Sequence, residues 1–388
     1  MRSIGVQNRC SLKPKHLLNL VGDRLHTLPL VVLYLTDGCN SRCVTCDIWR
    51  NPRRNMKMEL VEAIAGVFRE LQVRWVLLSG GEAMQHPRWP EIARRFRDEG
   101  AYVMLLTNGL LLRKQADEVL ASVDEVIVSL DGGCAETYHA IRGVDGFNLI
   151  MDGIRALRAG GLPVATRTTV QRANFREIPL IIEAAKAADV NRISFLTVDV
   201  SSVYAFGPRF AADPALAVAS MGPGAPAEHG PAAAALAPDD VRELARVLDE
   251  VETRFAPDFA SGRIAESPAK LRRMVDYFAA INGEGEFPRV RCNSPHISTV
   301  IEVDGTLRPC YFLPAYGKLD VDLQRAASDP GGEDVGTRHG VSASSSLKDA
   351  INLKDALALR LAYRTGQRPE CQRCVCPLFK GPRSLLRM

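Results

Sequence analysis

The sequence predicts an α/β protein built around a parallel sheet. Six strand-sized apolar runs alternate with segments in which apolar residues recur at helical spacing. Strict alternation of this kind is typical of βαβ units, whose strands are parallel and whose crossovers are right-handed. The chain has 388 residues and is 46% hydrophobic, which suffices for one large domain and a smaller one.

The elements are expected in the following order. The strands lie near 30–35, 75–79, 102–106, 125–130, 164–170 and 192–198. The helices between them lie near 58–71, 89–99, 114–121, 147–159 and 175–188. Two further helices are expected to begin at Pro238 and Pro268, the first with acidic residues in its first turn.

Three cysteines, Cys39, Cys43 and Cys46, lie on a loop directly after the first strand. Three thiolates on one short loop can bind three irons of a cubane cluster and leave the fourth iron without a protein ligand. A fully ligated iron–sulfur cluster takes four thiolates, so this loop suits a cluster whose open iron binds another molecule. The alternatives are buried cysteines or part of a zinc site, although zinc would need a fourth nearby Cys or His. No His lies between His26 and His86.

The C-x3-C-x2-C spacing resembles the radical S-adenosylmethionine (SAM) superfamily, in which the open iron binds the amino and carboxylate groups of SAM. The six strand–helix units likewise resemble the partial (β/α)6 TIM-type barrel of that superfamily. In barrels of this type the chemistry lies at the C-terminal ends of the strands, where the cysteine loop falls. The resemblance implies a [4Fe–4S] cluster and SAM as cofactors.

The end of the second strand carries another motif of the resemblance. Gly80, Gly81 and Glu82 are similar to the family's G-G-E-P motif, which binds the SAM amino group, with Ala83 in place of the usual proline. Two glycines let backbone approach a ligand closely, and Glu82 offers a carboxylate to an ammonium group. Asn108, after the third strand, matches the family's equivalent turn, with an ordinary turn residue as the alternative.

Two arginines compete as partners of the SAM carboxylate. Arg142 lies in the run 139–143, which resembles the H-x-x-R-G turn of the SPASM/twitch branch, and a guanidinium favours bidentate pairing with a carboxylate. Arg167, in the fifth strand, is the competing candidate. Ser129, at the end of the fourth strand, is a candidate SAM contact because the family usually has one there. Thr45 replaces the aromatic residue that packs on the adenine in most family members, and no catalytic residue is assigned.

Five of the ten cysteines lie after residue 290. Cys292 precedes a hairpin with an Asp-Gly turn, Cys310 follows it, and Cys371, Cys374 and Cys376 lie near the end. The pattern resembles the twitch domain, the short form of SPASM, and implies one auxiliary [4Fe–4S] cluster. Five thiols cannot complete two such clusters, so one of the last three is a non-ligand, with Cys376 the first choice. A zinc ribbon is the alternative.

The expected organisation has four parts. They are an N-terminal extension over 1–29, the partial barrel over 30–200, an Ala/Pro-rich linker with a helical insertion over 201–290, and a twitch/SPASM-like auxiliary-cluster domain over 291–388. The composition that predicts flexible connections is densest at 211–238 and again at 326–346.

Composition excludes several classes of partner. A net charge of +4 is small for this length and indicates no nucleic-acid binding. The apolar runs are strand-sized, so no membrane span is expected. No secretory signal opens the chain, and ten cysteines without one favour metal ligation over disulfides. We expect a cytoplasmic protein.

The resemblance implies that the reduced cluster cleaves SAM to methionine and a 5′-deoxyadenosyl radical, which abstracts hydrogen from a C–H bond. An auxiliary cluster suggests a net oxidation of a hydroxylated small molecule, with flavodoxin or ferredoxin as electron donor. Peptide side-chain modification ranks second, because only 38 residues precede Cys39, too few for a precursor-binding module. Lipid or isoprenoid modification ranks third. A non-catalytic Fe–S or zinc protein is the distant alternative.

Overall fold

One mixed sheet of ten strands organises the part of the chain that this computed structural model describes, namely residues 14–202, 231–322 and 342–379. Six parallel strands in sequence order form the larger part, and four shorter strands extend the sheet beyond the first. The strands are β1 (Leu30–Thr36), β2 (Trp75–Gly80), β3 (Tyr102–Thr107), β4 (Glu125–Ser129), β5 (Val164–Val170), β6 (Arg192–Thr197), β7 (Ser298–Ile301), β8 (Thr306–Arg308), β9 (Gly317–Leu319) and β10 (Ala343–Ser344).

Helices connect the parallel strands, and the predicted α/β class is confirmed. The helices of the described residues are α1 (Lys15–Leu18), α2 (Met58–Ala65), α3 (Trp89–Asp98), α4 (Ala116–Ser122), α5 (Ala135–Arg142), α6 (Phe147–Ala159), α7 (Ile178–Ala187), α8 (Pro231–Ala234), α9 (Pro238–Arg254), α10 (Ala256–Ala260), α11 (Pro268–Ile281), α12 (Ser294–Ile297), α13 (Leu347–Ala350), α14 (Lys354–Arg364) and α15 (Pro369–Gln372). The helices expected from Pro238 and Pro268 are confirmed as α9 and α11. Along the chain, α2 to α7 fall between successive parallel strands, as the alternation predicts.

The two faces of the sheet bury different sets of side chains. Leu33 and Leu35 of β1 pack into the main core with the helices, whereas Val32 and Tyr34 point to the opposite face. This separation follows from the alternation of side chains along a strand. The second, smaller cluster includes Leu106 and Tyr311, which also line the cavity of the candidate site.

The C-terminal strands extend the barrel sheet at β1. β7 pairs with β1 in parallel, with Ile301 opposite Leu33, and β8 and β9 follow antiparallel. The predicted Asp-Gly hairpin is confirmed: Gly305 has a φ of 86°, and a Cβ there would lie 2.0 Å from the Leu319 carbonyl oxygen. Only glycine fits this turn without strain. The pairing carries Cys310, two residues after β8, to the barrel.

The helix α5 breaks the strict alternation that the sequence predicts. Residues 139–143 are the last turn and cap of this helix, which ends at Arg142 before Gly143 in the left-handed region at a φ of 67°. Glycine at this position is the common way to end a helix. The helix α2 ends at Ala65, with Gly66 as its C-cap, and residues 66–72 continue as turns, so the helix is shorter than the predicted 58–71.

Some expectations fall outside the described residues. Most of the linker at 211–238, most of the stretch at 326–346 and the start of the N-terminal extension are among them. The four-part division of the chain stays a prediction. No helix within the described ranges combines the length and the apolar character needed to cross a membrane.

Candidate active site at the carboxyl ends of the strands

A cavity of about 300 Å³ lies at the carboxyl ends of the parallel strands. It brings together most of the residues that the sequence singles out, although they come from the ends of β1 to β4, from α5, from β5 and from the C-terminal tail. Those residues are Cys39, Cys43, Cys46, Gly80, Gly81, Asn108, Ser129, Arg142, Arg167 and Cys376.

The cysteine loop is fixed by the end of α5. The backbone N–H groups of Arg42 and Val44 donate to the carbonyls of Arg142 and Ile141, at 3.0 Å each. These two bonds tie the loop that follows β1 to the helix that follows β4. The conformation of the loop therefore depends on a helix about 100 positions away.

The first two thiols of the loop have N–H donors nearby. Ser41 N donates to Cys39 Sγ at 3.4 Å, and Arg142 Nη1 donates to Cys43 Sγ at 3.6 Å. Asn108 Nδ2 lies 3.8 Å from Cys39 Sγ. Hydrogen bonds to sulfur stabilise negative charge on it and tune a bound cluster. These donors would therefore stabilise a thiolate once a bound metal has replaced the thiol proton.

Gly80 and Gly81 bring the end of β2 into contact with the cysteine loop. Gly81 N donates to the Thr36 carbonyl and Glu82 N to the Gly38 carbonyl, at 2.8 Å each. A Cβ on Gly81 would lie 2.3 Å from the Gly38 oxygen, and Gly80 has a φ of 123°. A side chain at either position would push the two loops apart. The glycines therefore serve the packing of the loops as well as exposing backbone to the cavity.

The Glu82 carboxylate joins the ends of β2 and β3. Its Oε1 accepts from the Thr107 hydroxyl at 2.9 Å and from Met84 N at 3.1 Å, and its Oε2 accepts from Asn108 N at 2.8 Å. The residue is 1% exposed, and burial raises its pKa despite these donors. The two preceding glycines line the cavity, while this carboxylate lies behind them.

Arg142 is held in an ion pair beside the cysteine loop. Its Nη2 lies 2.7 Å from Asp131 Oδ2, and its Nη1 donates to Cys43. Burial opposes the charge, but Asp131 and Cys43 more than offset it and raise the pKa of Arg142. Its Nε has no acceptor within the described ranges. Most of this guanidinium is therefore committed to protein groups.

Arg167 has donors to spare. It lies on β5 in register with Ser129 of β4 and Ser194 of β6. Its Nε is buried, and no group in the part of the chain that the structure describes accepts a hydrogen bond from it. A buried N–H without an acceptor costs free energy, so this position favours a bound anion.

Among the cavity-lining residues that the sequence did not single out are Asp131, Tyr311 and Phe312. Asp131 belongs to the Ser-Leu-Asp-Gly run at 129–132, directly after β4. Its place at a strand end was the sequence signal that could have identified it as a site residue. The aromatic pair directly follows Cys310, but only the pairing of β7 with β1 shows that it reaches the barrel. Its rings offer an apolar surface that Thr45 lacks.

A second cavity, of about 830 Å³, is lined by all five C-terminal cysteines, Cys292, Cys310, Cys371, Cys374 and Cys376. The hairpin and the tail thus meet around one space. Cys376 and Phe312 also line the first cavity, so the two spaces adjoin. Which of the three tail cysteines is a non-ligand stays a prediction.

Cys39 and the five C-terminal thiols resist ionisation on their own. Burial raises the pKa of Cys310 to about 12 and that of Cys371 to about 11, and it raises the pKa of the other three C-terminal thiols. The same cause raises the pKa of Cys39 to about 12. A bound metal supplies the positive charge that such thiols need in order to ionise. The donor sets therefore fit iron–sulfur clusters.

All nine cysteines within the described ranges are free thiols. Among those same residues, no three His, Cys, Asp or Glu side chains converge on a single metal ion. Eight of the nine thiols line the two cavities.

The model of the radical SAM superfamily matches residues 33–198, from β1 through the end of β6. Over this region the predicted resemblance to the superfamily is confirmed. The cofactors of this superfamily, a [4Fe–4S] cluster and SAM, are the ones that the sequence predicts.

The curated relatives of this chain carry different names. The chain is 35% identical over 167 residues to an AdoMet-dependent heme synthase of Methanosarcina barkeri, covering 40% of this chain and 47% of the relative. It is 30% identical over 188 residues to that organism's Fe-coproporphyrin III synthase, with coverages of 47% and 46%. It is 33% identical over 167 residues to a probable GTP 3′,8-cyclase of Saccharolobus islandicus, with coverages of 42% and 54%. The chain thus spans about half the length of the curated relatives it matches.

Solved structures share the fold over a longer stretch. SuiB of Streptococcus suis bound to precursor peptide SuiA superposes with a TM-score of 0.53 at 14% identity, covering 76% of this chain and 63% of that one. Native anSMEcpe with bound AdoMet and Cp18Cys peptide gives 0.51 at 18% identity, covering 74% and 75%. Both likenesses cover a larger share of the chain than residues 33–198, and at these identities they concern the fold alone.

Proposed function

We propose that this protein reductively cleaves SAM to methionine and a 5′-deoxyadenosyl radical, and that the radical takes a hydrogen atom from a C–H bond of a substrate. The observation that carries the proposal is the first cavity. It combines three cysteine thiols of one loop, a glycine turn that exposes backbone, and an arginine with an unmatched buried N–H. Those groups suit a cluster, an ammonium and a carboxylate respectively.

In this proposal Cys39, Cys43 and Cys46 hold the SAM-binding cluster. When bound and reduced, that cluster supplies the electron that opens the SAM sulfonium. The backbone of Gly80 and Gly81 receives the amino group, and the buried carboxyl group of Glu82 lies behind these glycines. The chain's own task is to hold and orient these groups at the strand ends.

The carboxylate of SAM is best served by Arg167. The Nε atoms of both arginines lack an acceptor within the described residues, but Arg142 is already paired with Asp131 and Cys43. Arg167 has no such partner there, so its whole guanidinium is available to an anion. Asn108 and Ser129 line the same cavity and are proposed as further contacts, and the aromatic pair that follows Cys310 offers its rings to the adenine.

The C-terminal thiols are proposed to hold an auxiliary [4Fe–4S] cluster, with Cys376 as the thiol left over. The two cavities share Phe312 and Cys376, so a cluster held by these thiols would lie beside the first cavity and would supply an acceptor for an electron from a substrate radical. This arrangement supports a net oxidation, with a hydroxylated small molecule as substrate. The names of the relatives, which include a heme synthase and a GTP cyclase, do not point to a single substrate.

A peptide is the second candidate substrate. The observation that favours it is that two fold neighbours, SuiB and anSMEcpe, are bound to peptides. The electron donor is proposed to be flavodoxin or ferredoxin. A reducing compartment such as the cytoplasm suits the free thiols of the described chain.

Anaerobic reconstitution tests the proposal directly. The protein should bind about eight irons, at four for each cubane. With dithionite and SAM it should release methionine and 5′-deoxyadenosine in equal amounts. A preparation that carries both clusters and yet forms no 5′-deoxyadenosine would contradict the proposed function.

A further inference from the structure

A third cavity, of about 190 Å³, adjoins the first cavity, in which SAM is proposed to bind, and its lining carries an excess of positive charge. The charged residues in its lining are Arg167, Glu266, Lys270 and Arg273. We propose that this cavity binds an oxyanion of the substrate, a carboxylate or a phosphate group. The inference rests on the proposed function, because it assigns the charged part of the molecule on which the radical acts.

Two of the cations stand on one face of α11. Lys270 and Arg273 are three residues apart, and Tyr277 follows one turn later, so all three face the same side of the helix. The Tyr277 hydroxyl donates to Asp199 at 3.2 Å and accepts from Val200 N at 2.9 Å. These bonds fix the helix against the end of β6, which holds both cations over the strand ends.

The single carboxylate of the cavity does not neutralise its cations. Glu266 accepts from the Ser194 hydroxyl at 3.0 Å, from Phe195 N at 2.9 Å and from Lys270 Nζ at 3.4 Å. Within the part of the chain that the structure describes, Arg273 makes no ion pair, and the Arg167 Nε lacks an acceptor. Three cations therefore face one carboxylate that already has three donors.

Arg272, the residue before Arg273, differs from it in having ion-pair partners. Arg272 points to the other side of α11 and pairs with Asp249 at 2.6 Å and with Glu252 at 2.9 Å. Arg272 thus has the partners expected of an arginine that serves the surface of the fold. Arg273, next to it, presents its charge to a cavity instead.

The position of the cavity suits a substrate that reaches the radical. It shares Arg167, Thr197 and Cys376 with the first cavity. A guanidinium has five N–H donors, so Arg167 can border both spaces and serve an anion in each. A substrate anchored by its oxyanion in the third cavity would extend its reacting carbon into the first.

The competing explanation is that the cations only offset thiolates, since Cys374 and Cys376 line the same cavity. Anion binding separates the two explanations. The experiment uses the cluster-loaded protein under anaerobic conditions with inorganic phosphate, succinate or chloride at equal ionic strength. The readout is the midpoint of thermal unfolding, because a ligand that binds the folded state raises it.

We expect phosphate or succinate to raise the midpoint above its value in chloride, and the stronger of the two identifies the chemistry of the substrate group. Lys270→Gln and Arg273→Gln should each weaken the apparent affinity of that probe about tenfold, the effect of losing one charge-assisted hydrogen bond. Arg272→Gln is the matched control and should bind the probe like the wild type. Equal responses to all three anions, or equal losses in Arg272→Gln and Arg273→Gln, would overturn the proposal.

Iron content and the midpoint in chloride show that each variant is folded and loaded. Formation of 5′-deoxyadenosine by the same wild-type preparation separates the two proposals. A preparation that forms it without an anion response contradicts the oxyanion cavity alone. An anion response without 5′-deoxyadenosine supports the cavity and contradicts the SAM chemistry.

Discussion

Arg142 stands between Asp131 and Cys43, with its Nη2 2.7 Å from the Asp131 carboxylate and its Nη1 3.6 Å from the Cys43 sulfur. Asp131 is itself fixed, since its Oδ1 accepts from Thr169 N at 2.7 Å. A buried carboxylate thus holds a guanidinium against one thiol of the cysteine loop. The arginine proposed from the sequence as a SAM ligand is placed where it also stabilises negative charge on a cluster ligand.

Replacing Arg142 should shift the reduction potential of the SAM-binding cluster. Arg142→Met removes a positive charge and a donor to Cys43, so the more negative, reduced cluster becomes harder to form. We expect a shift toward negative potential on the order of 60 mV, which corresponds to about 1.4 kcal/mol for one electron. A redox titration followed by electron paramagnetic resonance measures it. Arg155→Met, which removes an exposed arginine paired with Asp152, is the control and should leave the potential in place.

The three cysteines of the loop should be needed for SAM cleavage but not for the second cluster. Joint replacement of Cys39, Cys43 and Cys46 by Ala should leave about four of about eight irons bound. It should also abolish 5′-deoxyadenosine formation. Iron quantitation and product analysis of the reduced variant check both expectations. Continued 5′-deoxyadenosine formation would assign the SAM-binding cluster to other residues.

The strand–helix alternation and the cysteine loop were predictable because their signals are local in sequence. The helix α5 was missed because it is only eight residues long and its end looks like a turn motif. The approach of Tyr311 and Phe312 to the barrel was not predictable, because it depends on pairing between β7 and β1, about 270 positions apart.

The hydrogen bonds of Glu82 also could not be predicted from the sequence. Its motif predicts a carboxylate at the end of β2, and the structure places it there. Two of its three donors are Thr107, at the end of β3, and Asn108, directly after it, and no sequence pattern predicts these contacts. The sequence therefore predicts which residues gather at the strand ends, while their mutual hydrogen bonds require the folded chain.

Glu82→Gln should cost stability as well as SAM affinity. The carboxylate accepts from two backbone N–H groups and one hydroxyl, and an amide would turn an NH2 group toward one of those donors. Leaving a buried donor unmatched costs about 1–3 kcal/mol. Urea unfolding measures that loss, and a SAM titration of the folded, iron-loaded variant measures the affinity. An unchanged SAM dissociation constant would limit Glu82 to joining the two strand ends.

Cys376 should be dispensable for the auxiliary cluster if it is the thiol left over. Cys376→Ala should then retain about eight irons, whereas joint replacement of Cys310 and Cys371 by Ala should retain about four. The double variant should also unfold more readily, because metal binding couples to folding. Iron and sulfide quantitation with thermal unfolding provides the comparison. Loss of about four irons from Cys376→Ala would make it a ligand in place of Cys374.

His296 should make stability depend on pH below neutrality. The residue is 5% exposed, and burial, with help from nearby Arg360, lowers its pKa to about 4 from an ordinary value of 6.5. Between those values the unfolded chain binds a proton at this position and the folded protein does not. The stability from this group is therefore complete above about pH 6.5 and is lost as the pH falls toward 4.

The expected size is about 1 kcal/mol between pH 7 and pH 5.5, out of on the order of 3 kcal/mol over the whole window. His296→Gln should remove that part of the pH dependence, because glutamine does not titrate. His139→Gln, which replaces an exposed imidazole on α5, is the matched control and should keep the wild-type slope. Urea unfolding of all three proteins at the two pH values decides the point. If wild type and His296→Gln lose the same free energy on acidification, His296 is not the titrating group.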